Sequence, residues 1–480
     1  MSQVSRGFFW SAVERFSLQG IGFLLSIIIA RLVSPNAYGL IVMIQVFISF
    51  SSLFVDSGFG NALIQKKNCS DKDYNTVFIF NIVVSSILYF ILFFSAQFIA
   101  DFYDEPQLIP LTRVVALSLI ISSLGMVQYT RLVRALDFKT TTKTGLISMI
   151  ISGIIGIYCA YSGLEVWALV IQNFAAQIIN TILVICYTRW FPKIQFSKDS
   201  FFSMFNFGSK LFAANILTNI YINIYNLLIG KKYSSSDLAF YNRGFTLSQF
   251  PSVNVAGVMT KVIFPVLSKF QDDKENLLSA YNKYLHLSHF VILPLLCLLL
   301  VLSKPLILIL LTSKWLPAVP YLQIFCVNFM IYPFIQQSSL PVAAIGHSGI
   351  LLKYQFLKRF VSLILLLLTI GYGPIIISWG IVVGSLFEAF VNLSINKREL
   401  GTSIFFQLRS QVDVFVAVVI MGLAVYGFML LIQNEYVQLF GGGVLGFAVF
   451  VSLSFLLKIR ERVYIPLIYL KLKNIMHNIR

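Results

Sequence analysis

The sequence predicts an all-α integral membrane protein with fourteen crossing helices, and three observations predict it. Of 480 residues, 58% are hydrophobic and 11% charged, with 45 Phe, 22 Tyr and a mean hydropathy of +0.83. A soluble chain averages about half apolar and about a quarter charged residues. At about 20 residues per crossing, the apolar residues here fill on the order of 14 spans. These residues also fall in long stretches bounded by charges, glycine or proline, and the basic residues gather on one side of them. A soluble domain, a disordered chain and a nucleic-acid binder are excluded together.

In order, the stretches are 7–32, 37–60, 74–100, 108–130, 144–161, 166–188, 204–230, 238–262, 284–302, 318–345, 350–371, 374–393, 412–432 and 437–457. The first holds Glu14 and Arg15 and continues through a full span, so it reads as a retained helix rather than a cleaved leader. The seventh and eighth are the least hydrophobic. Segment 305–311 is too short to cross and is expected at the interface. An even number of spans puts both termini on one side. With that side cytoplasmic, it carries Lys66, Lys67, Arg131, Arg134, Lys353, Lys358, Arg359 and a basic tail, while Arg31, Lys231, Lys232, Lys304 and Lys314 are left outside. The net charge of +17 is thus a topological signal, and the tail is expected on anionic headgroups. Cys69, Cys159, Cys186, Cys297 and Cys326 form no CxxC pair and read as packing residues.

Two stretches repeat about 200 residues apart. Ile29-Ala30-Arg31-Leu32-Val33-Ser34 matches Ile229-Gly230-Lys231-Lys232-Tyr233-Ser234, and Trp167-Ala168-Leu169-Val170 matches Trp379-Gly380-Ile381-Val382. The matches lay helices one to six over seven to twelve. The predicted organisation is two pseudo-symmetric six-helix lobes, 1–200 and 201–400, two further helices in 401–458, and a basic cytoplasmic tail, 459–480. Two equivalent bundles with a cleft between them suit alternating access.

The elements Ala30-Arg31-Leu32-Val33-Ser34-Pro35-Asn36-Ala37-Tyr38-Gly39 and Asp56-Ser57-Gly58-Phe59-Gly60-Asn61-Ala62-Leu63-Ile64-Gln65 carry a family likeness. With the predicted span pattern, the chain resembles the polysaccharide transporter branch of the multidrug/oligosaccharidyl-lipid/polysaccharide flippase superfamily: Wzx-type O-antigen, capsule and exopolysaccharide flippases, and the colanic-acid exporters among them. The resemblance implies a MATE/MurJ-like fold in a bacterial inner membrane. It also implies a substrate, an undecaprenyl-diphosphate-linked oligosaccharide repeat unit turned from the cytoplasmic to the periplasmic leaflet, and a polysaccharide polymerase downstream.

Such a substrate needs a polar lane, because its charged, hydroxyl-rich head crosses hydrocarbon while its prenyl tail stays in lipid. Helix seven offers Asn215, Asn219, Asn223 and Asn226 on one face, with Thr218 beside them, and amides both donate and accept. Helix one sets Ser11, Arg15, Gln19 and Ser26 on one arc, and helix six adds Asn173, Gln177 and Asn180. Arg15, Arg113, Lys210 and Arg243 are the cations a diphosphate would meet. The competing reading is helix-to-helix bonding for the amides and snorkelling for the cations near helix ends.

No GxxxxGK[ST] loop is present, so an H⁺ or Na⁺ gradient is the expected energy source, with no other cofactor. Glu14, Asp56 and Glu388 are the carboxylates placed to couple it, and Asp56 alternatively fixes the end of its helix. His286 and His289 are one turn apart but lack a third ligand for a metal. The rival function is a cation-coupled multidrug antiporter, which would set acidic and aromatic groups around a cation. The short loops leave no room for a catalytic domain, so an enzyme is not expected.

Overall fold

The computed structural model describes residues 3–463, which form helices joined by short connections, with no strand among them. Contacts divide the chain into two units, Met1–Ala239 and Phe240–Arg480. The first holds α1 (Gln3–Leu32), α2 (Pro35–Asp56), α3 (Phe59–Gln65), α4 (Asp71–Tyr103), α5 (Leu108–Arg134), α6 (Phe138–Tyr161), α7 (Val166–Thr188), α8 (Lys198–Lys232) and the start of α9 (Ser235–Lys269). The second holds the rest of α9, then α10 (Lys274–Val301), α11 (Ser303–Leu311), α12 (Val319–Met330), α13 (Tyr332–Gln336), α14 (Leu340–Ala344), α15 (Ser348–Thr369), α16 (Pro374–Leu400), α17 (Ile404–Arg409), α18 (Val412–Leu431), α19 (Glu435–Leu456) and a 3₁₀ turn, Arg460–Val463.

Eleven stretches among the described residues are long and apolar enough to cross a membrane. The other three sequence candidates correspond to α1, α8 and α15; amides dilute α8, and Lys353, Lys358 and Arg359 interrupt α15. At 1.5 Å per residue even the 22 residues of α15 reach about 33 Å, enough to span a hydrocarbon core. The outward faces suit lipid. On α4, Val83, Ile87, Phe90, Phe94 and Phe98 recur every three or four residues and are 49–75% exposed, a stripe no water-soluble surface carries.

In the first unit, α2 lies against α4, α5, α7 and α8, and α1 packs on α6. The Ser34-Pro35 pair explains where α2 begins. Ser34 Oγ accepts from the Ala37 amide at 3.4 Å, and Pro35 takes the first turn, where its missing N–H costs nothing. Two hundred residues on, Ser234 Oγ accepts from the Asp237 amide at 3.1 Å, so the first repeat detected in the sequence is a shared helix start. The helix ends at Asp56, followed by left-handed Ser57 (φ 42°) and Gly58 (φ 73°). Close backbone contacts pin both ends: a Cβ on Gly39 would stand 1.8 Å from the Ser235 carbonyl oxygen, and one on Gly58 2.7 Å from that of Gly208.

In the second unit, α10 packs on α12 and α18, α15 on α16, and α18 on α19. Asp273 caps α10, accepting from the Asn276 amide at 3.1 Å and its Nδ2 at 2.6 Å. These bonds hold its carboxyl below the usual carboxylate range, so the cap is present at neutral pH and fades as pH falls through that lowered range. One stretch differs from expectation, and a shorter one beside it is seen in more detail. Segment 305–311, too short to cross, is the body of α11, with Pro305, Ile307 and Leu311 buried against its neighbours. Stretch 318–345 is not one helix but α12, α13 and α14, broken ahead of Pro333 and Pro341, each lacking the N–H an unbroken helix needs. Polar side chains take up the breaks: Asn392 Nδ2 donates to the Ile335 carbonyl at 2.8 Å, the Tyr281 and Ser338 hydroxyls pair at 2.7 Å, and Gln337 bonds Ser288.

Candidate functional site

Helix α2 has two faces because its sequence alternates them at helical spacing. Ile41, Ile44, Gln45, Ile48, Ser52, Val55 and Asp56 line cavities with α5 and α7; Val46, Phe47, Phe50, Ser51 and Phe54 line a cavity with α4 and α8. The first face is the more polar. A cavity of about 430 Å³ is walled by Ser52, Asp56, Ser122, Tyr129, Gln177, Asn180 and Thr181 among others, and one of about 280 Å³ by Gln45, Ser118, Asn173 and Gln177 among others. Gln177 lines both, so the two lie side by side along α7 as a polar chamber in two parts. Its Oε1 is buried without a hydrogen-bond partner among the described residues and therefore needs a donor or a cation. Asp56 is the single carboxylate among the described lining residues, which include no Lys or Arg. Amide and hydroxyl groups around one carboxylate can bind sugar hydroxyls, a proton or a hard cation.

The helix-seven asparagines lie on α8. Asn219 and Asn223 border a cavity of about 520 Å³ whose other walls are apolar apart from Ser51. Asn223 Nδ2 donates to the Asn219 carbonyl at 3.1 Å and its Oδ1 at 3.0 Å, so part of their capacity is spent within the helix. Asn215 is exposed and Asn226 half-buried.

The other candidates are dispersed. Gln19 is half-buried on α1, and Glu14 accepts from the Thr141 hydroxyl at 3.0 Å, tying α1 to α6. Arg113 lies 4.6 Å over the Phe93 ring, and Arg243 lies 5.0 Å over that of Trp315. The side chains of Arg15 and Lys210, and residues 464–480 of the tail, lie outside the described residues. Glu388 has Lys358 Nζ 3.6 Å away, and that ammonium donates to Asn392 Oδ1 at 2.7 Å. Lys358, counted in the sequence among the charges of the cytoplasmic side, is 4% exposed within α15.

Lys358→Met alone strands the Glu388 carboxylate in an apolar bundle, and is expected to cost about 3–5 kcal/mol in thermal unfolding of the detergent-solubilised protein. Adding Glu388→Gln is expected to restore most of it. A double variant as unstable as the single one would show that packing, not charge, holds α15 on α16.

A profile of the polysaccharide biosynthesis protein family matches residues 28–320, more than half the chain. The chain belongs to this family. Similar proteins include the Lipopolysaccharide biosynthesis protein WzxC of Escherichia coli (strain K12), 24% identical over 82% of this chain and 81% of that one. The Succinoglycan biosynthesis transport protein ExoT of Rhizobium meliloti (strain 1021) is 22% identical over 82% and 77% respectively. The fold of this family member is similar to that of a solved lipid II flippase, "Lipid II flippase MurJ, inward closed conformation": TM-score 0.73 at 17% identity, covering 95% of this chain and all of that one (100%). An inward-facing MATE multidrug transporter of the MOP superfamily follows at TM-score 0.62 and 14% identity, over 79% and 94%.

Proposed function

We propose that this family member is a flippase for undecaprenyl-diphosphate-linked oligosaccharide repeat units, moving them from the cytoplasmic to the periplasmic leaflet of a bacterial inner membrane for polysaccharide synthesis. The carrying observation is the chamber between α2, α5 and α7, where amides and hydroxyls form a polar path inside a bundle whose outer faces are apolar. The names of WzxC and ExoT, which concern polysaccharide biosynthesis and transport, support the same reading. In this reading all fourteen helices cross, residues 1–200 and 201–400 act as two pseudo-symmetric lobes with 401–458 appended, and both termini and the 459–480 tail are cytoplasmic.

The saccharide meets Gln19 and Asn173, and Asn215, Asn219, Asn223 and Asn226 along α8; Arg15, Lys210 and Arg243 meet the diphosphate. Glu14, Asp56 and Glu388 are the coupling carboxylates for H⁺ or Na⁺. Asp56, although it accepts from the Gly60 amide, suits that role best, since it lines the chamber, whereas Glu14, bonded to Thr141, and Glu388, facing Lys358, do not. The product passes to a polymerase. Asp56 beside Tyr129 also favours a second reading, a cation-coupled multidrug antiporter on the same scaffold.

The test uses proteoliposomes carrying a fluorescent undecaprenyl-diphosphate oligosaccharide and a membrane-impermeant quencher. Protein-dependent protection of the label is expected, and Asn219→Leu with Asn223→Leu should slow it. A cationic dye transported in its place would establish the antiporter. Collapsing the proton and sodium gradients separately identifies the coupling ion, and flipping that survives both would rule out ion drive.

A further inference from the structure

Helix α10 carries the histidine pair that the transport reading leaves unused. Both rings are buried, His286 5% and His289 1% exposed. His289 Nδ1 lies 2.9 Å from the Leu285 carbonyl, which can only accept, so this nitrogen holds the hydrogen and Nε2 is left as a lone-pair acceptor with no hydrogen-bond partner among the described residues. His286 is different. Its Nε2 lies 3.0 Å from Asp413 Oδ1 at the start of α18, and its Nδ1 is in ion-pair contact, 2.5 Å, with Glu461 Oε2 on the 3₁₀ turn after α19. That second contact is off the axis of a hydrogen bond, but it is close enough for charge to decide it.

A neutral imidazole has one N–H and can satisfy only one of these carboxylates; its other nitrogen would point a lone pair at an anion. With both carboxyl groups ionised, both contacts are attractive only when both nitrogens carry hydrogen. The arrangement therefore contains a bound proton. Its route in is a cavity of about 710 Å³ that His286 and Asp413 line together with Glu275, Asn282, Arg409 and Arg460.

We propose that His286 is a proton-binding site, separate from Glu14, Asp56 and Glu388, and that its proton clasps the turn Arg460–Val463 to α10 and α18. Every charged group around the ring bears on it: Glu275 and His289 from α10, Arg409 from α17, Asp413 from α18, and Arg460 and Glu461 from the turn. Glu461 is 2% exposed. The last hydrogen stays on Nε2, whose contact with Asp413 has hydrogen-bond geometry, so without the second proton Glu461 is a buried carboxylate facing a lone pair, and the turn leaves its seat to hydrate it. Ile459, fully buried among Val414, Val418 and Phe450, stays docked, so release begins at Arg460. The sign is fixed: the clasp is closed at low pH and opens as pH rises. The site does not depend on what the protein transports.

The experiment is amide hydrogen exchange of residues 459–463 in the full-length protein in lipid nanodiscs, corrected for the intrinsic pH dependence of exchange. Protection of 460–463 in the wild type is expected to fall about tenfold as pH rises through the imidazole transition. In His286→Gln it should be low at every pH, and in Asp413→Asn the fall should come at lower pH, while protection of α10 residues 277–285 stays constant. A wild-type profile flat with pH, or a His286→Gln profile matching wild type, overturns the proposal. Should His286→Gln fail to fold, ¹⁵N spectra of histidine-labelled wild type decide it: two protonated ring nitrogens on His286 in the clasped form are required, and one overturns it.

Discussion

Asp56→Asn is expected to lower surface polysaccharide about 10- to 100-fold in cells whose own copy has been deleted, with folded protein at the wild-type level. The size follows from losing a charged partner worth about 1.5–3 kcal/mol to whatever binds there, at about 1.4 kcal/mol per decade. Asparagine keeps the volume and the hydrogen-bonding shape but removes the charge and the ability to take a proton. Two roles compete for this residue. As the last residue of α2 it could serve only to end the helix before Ser57 and Gly58, a role asparagine fills equally well. As the single carboxylate lining the chamber with Gln177 and Asn180, it has no substitute among the described residues there. Export that falls while the melting temperature holds assigns the chamber role; export that tracks stability assigns the helix end. Gln177→Leu, which removes the amide shared by both cavities, should reproduce the loss, whereas Val55→Leu on the same wall should not.

How much of the fold and of the site is legible in the sequence depends on how local the signal is. Hydropathy stretches and the Ser34-Pro35 and Gly58 punctuation are contiguous in sequence, and they correspond closely to observed helices. The break at 331–339 is marked only by Pro333 and Pro341, and its completion by Asn392, Tyr281 and Ser288 from other helices is not readable from that stretch. The same limit governs the sites. Asn173, Gln177 and Asn180 are visible as a face of α7, but that Asp56 shares their cavity depends on how α2 packs. Four asparagines on α8 give the strongest periodic signal, yet periodicity says nothing of the opposite wall, which is Phe47, Phe50 and Phe54. Gln45, a chamber residue the sequence reading misses, is signalled only as a lone amide in an apolar run. Lys358 counts in the sequence by charge alone, and its burial follows from a partner 30 positions away, Glu388.

Gly39→Ala is expected to be among the most damaging single-methyl additions in the chain, lowering stability by about 3 kcal/mol or more, at or beyond the upper end for overpacking. The reason is what the methyl meets. Its carbon would lie 1.8 Å from the Ser235 carbonyl oxygen and 2.4 Å from the carbonyl carbon, and backbone cannot change rotamer to make room. Nor is Ser235 free to withdraw: Asn36 Nδ2 donates to its hydroxyl at 2.6 Å, that hydroxyl donates to Glu105 at 3.3 Å, and Lys231 pairs with Asp104 at 2.9 Å beside it. The start of α9 must therefore tear from α2 or carry these bonds with it. Gly58→Ala should be comparably harmful, since it adds left-handed strain at φ 73° to a 2.7 Å clash with Gly208. Gly20→Ala in α1 is the control: nothing lies within 4 Å of its added carbon, so alanine should gain about 0.5–1 kcal/mol of helix preference. Melting temperatures of the three purified variants give the order directly. A Gly39→Ala protein as stable as wild type would mean that the tight seam between α2 and α9, which explains why Tyr38-Gly39 comes after Ser34-Pro35 in this sequence, does not exist in the folded protein.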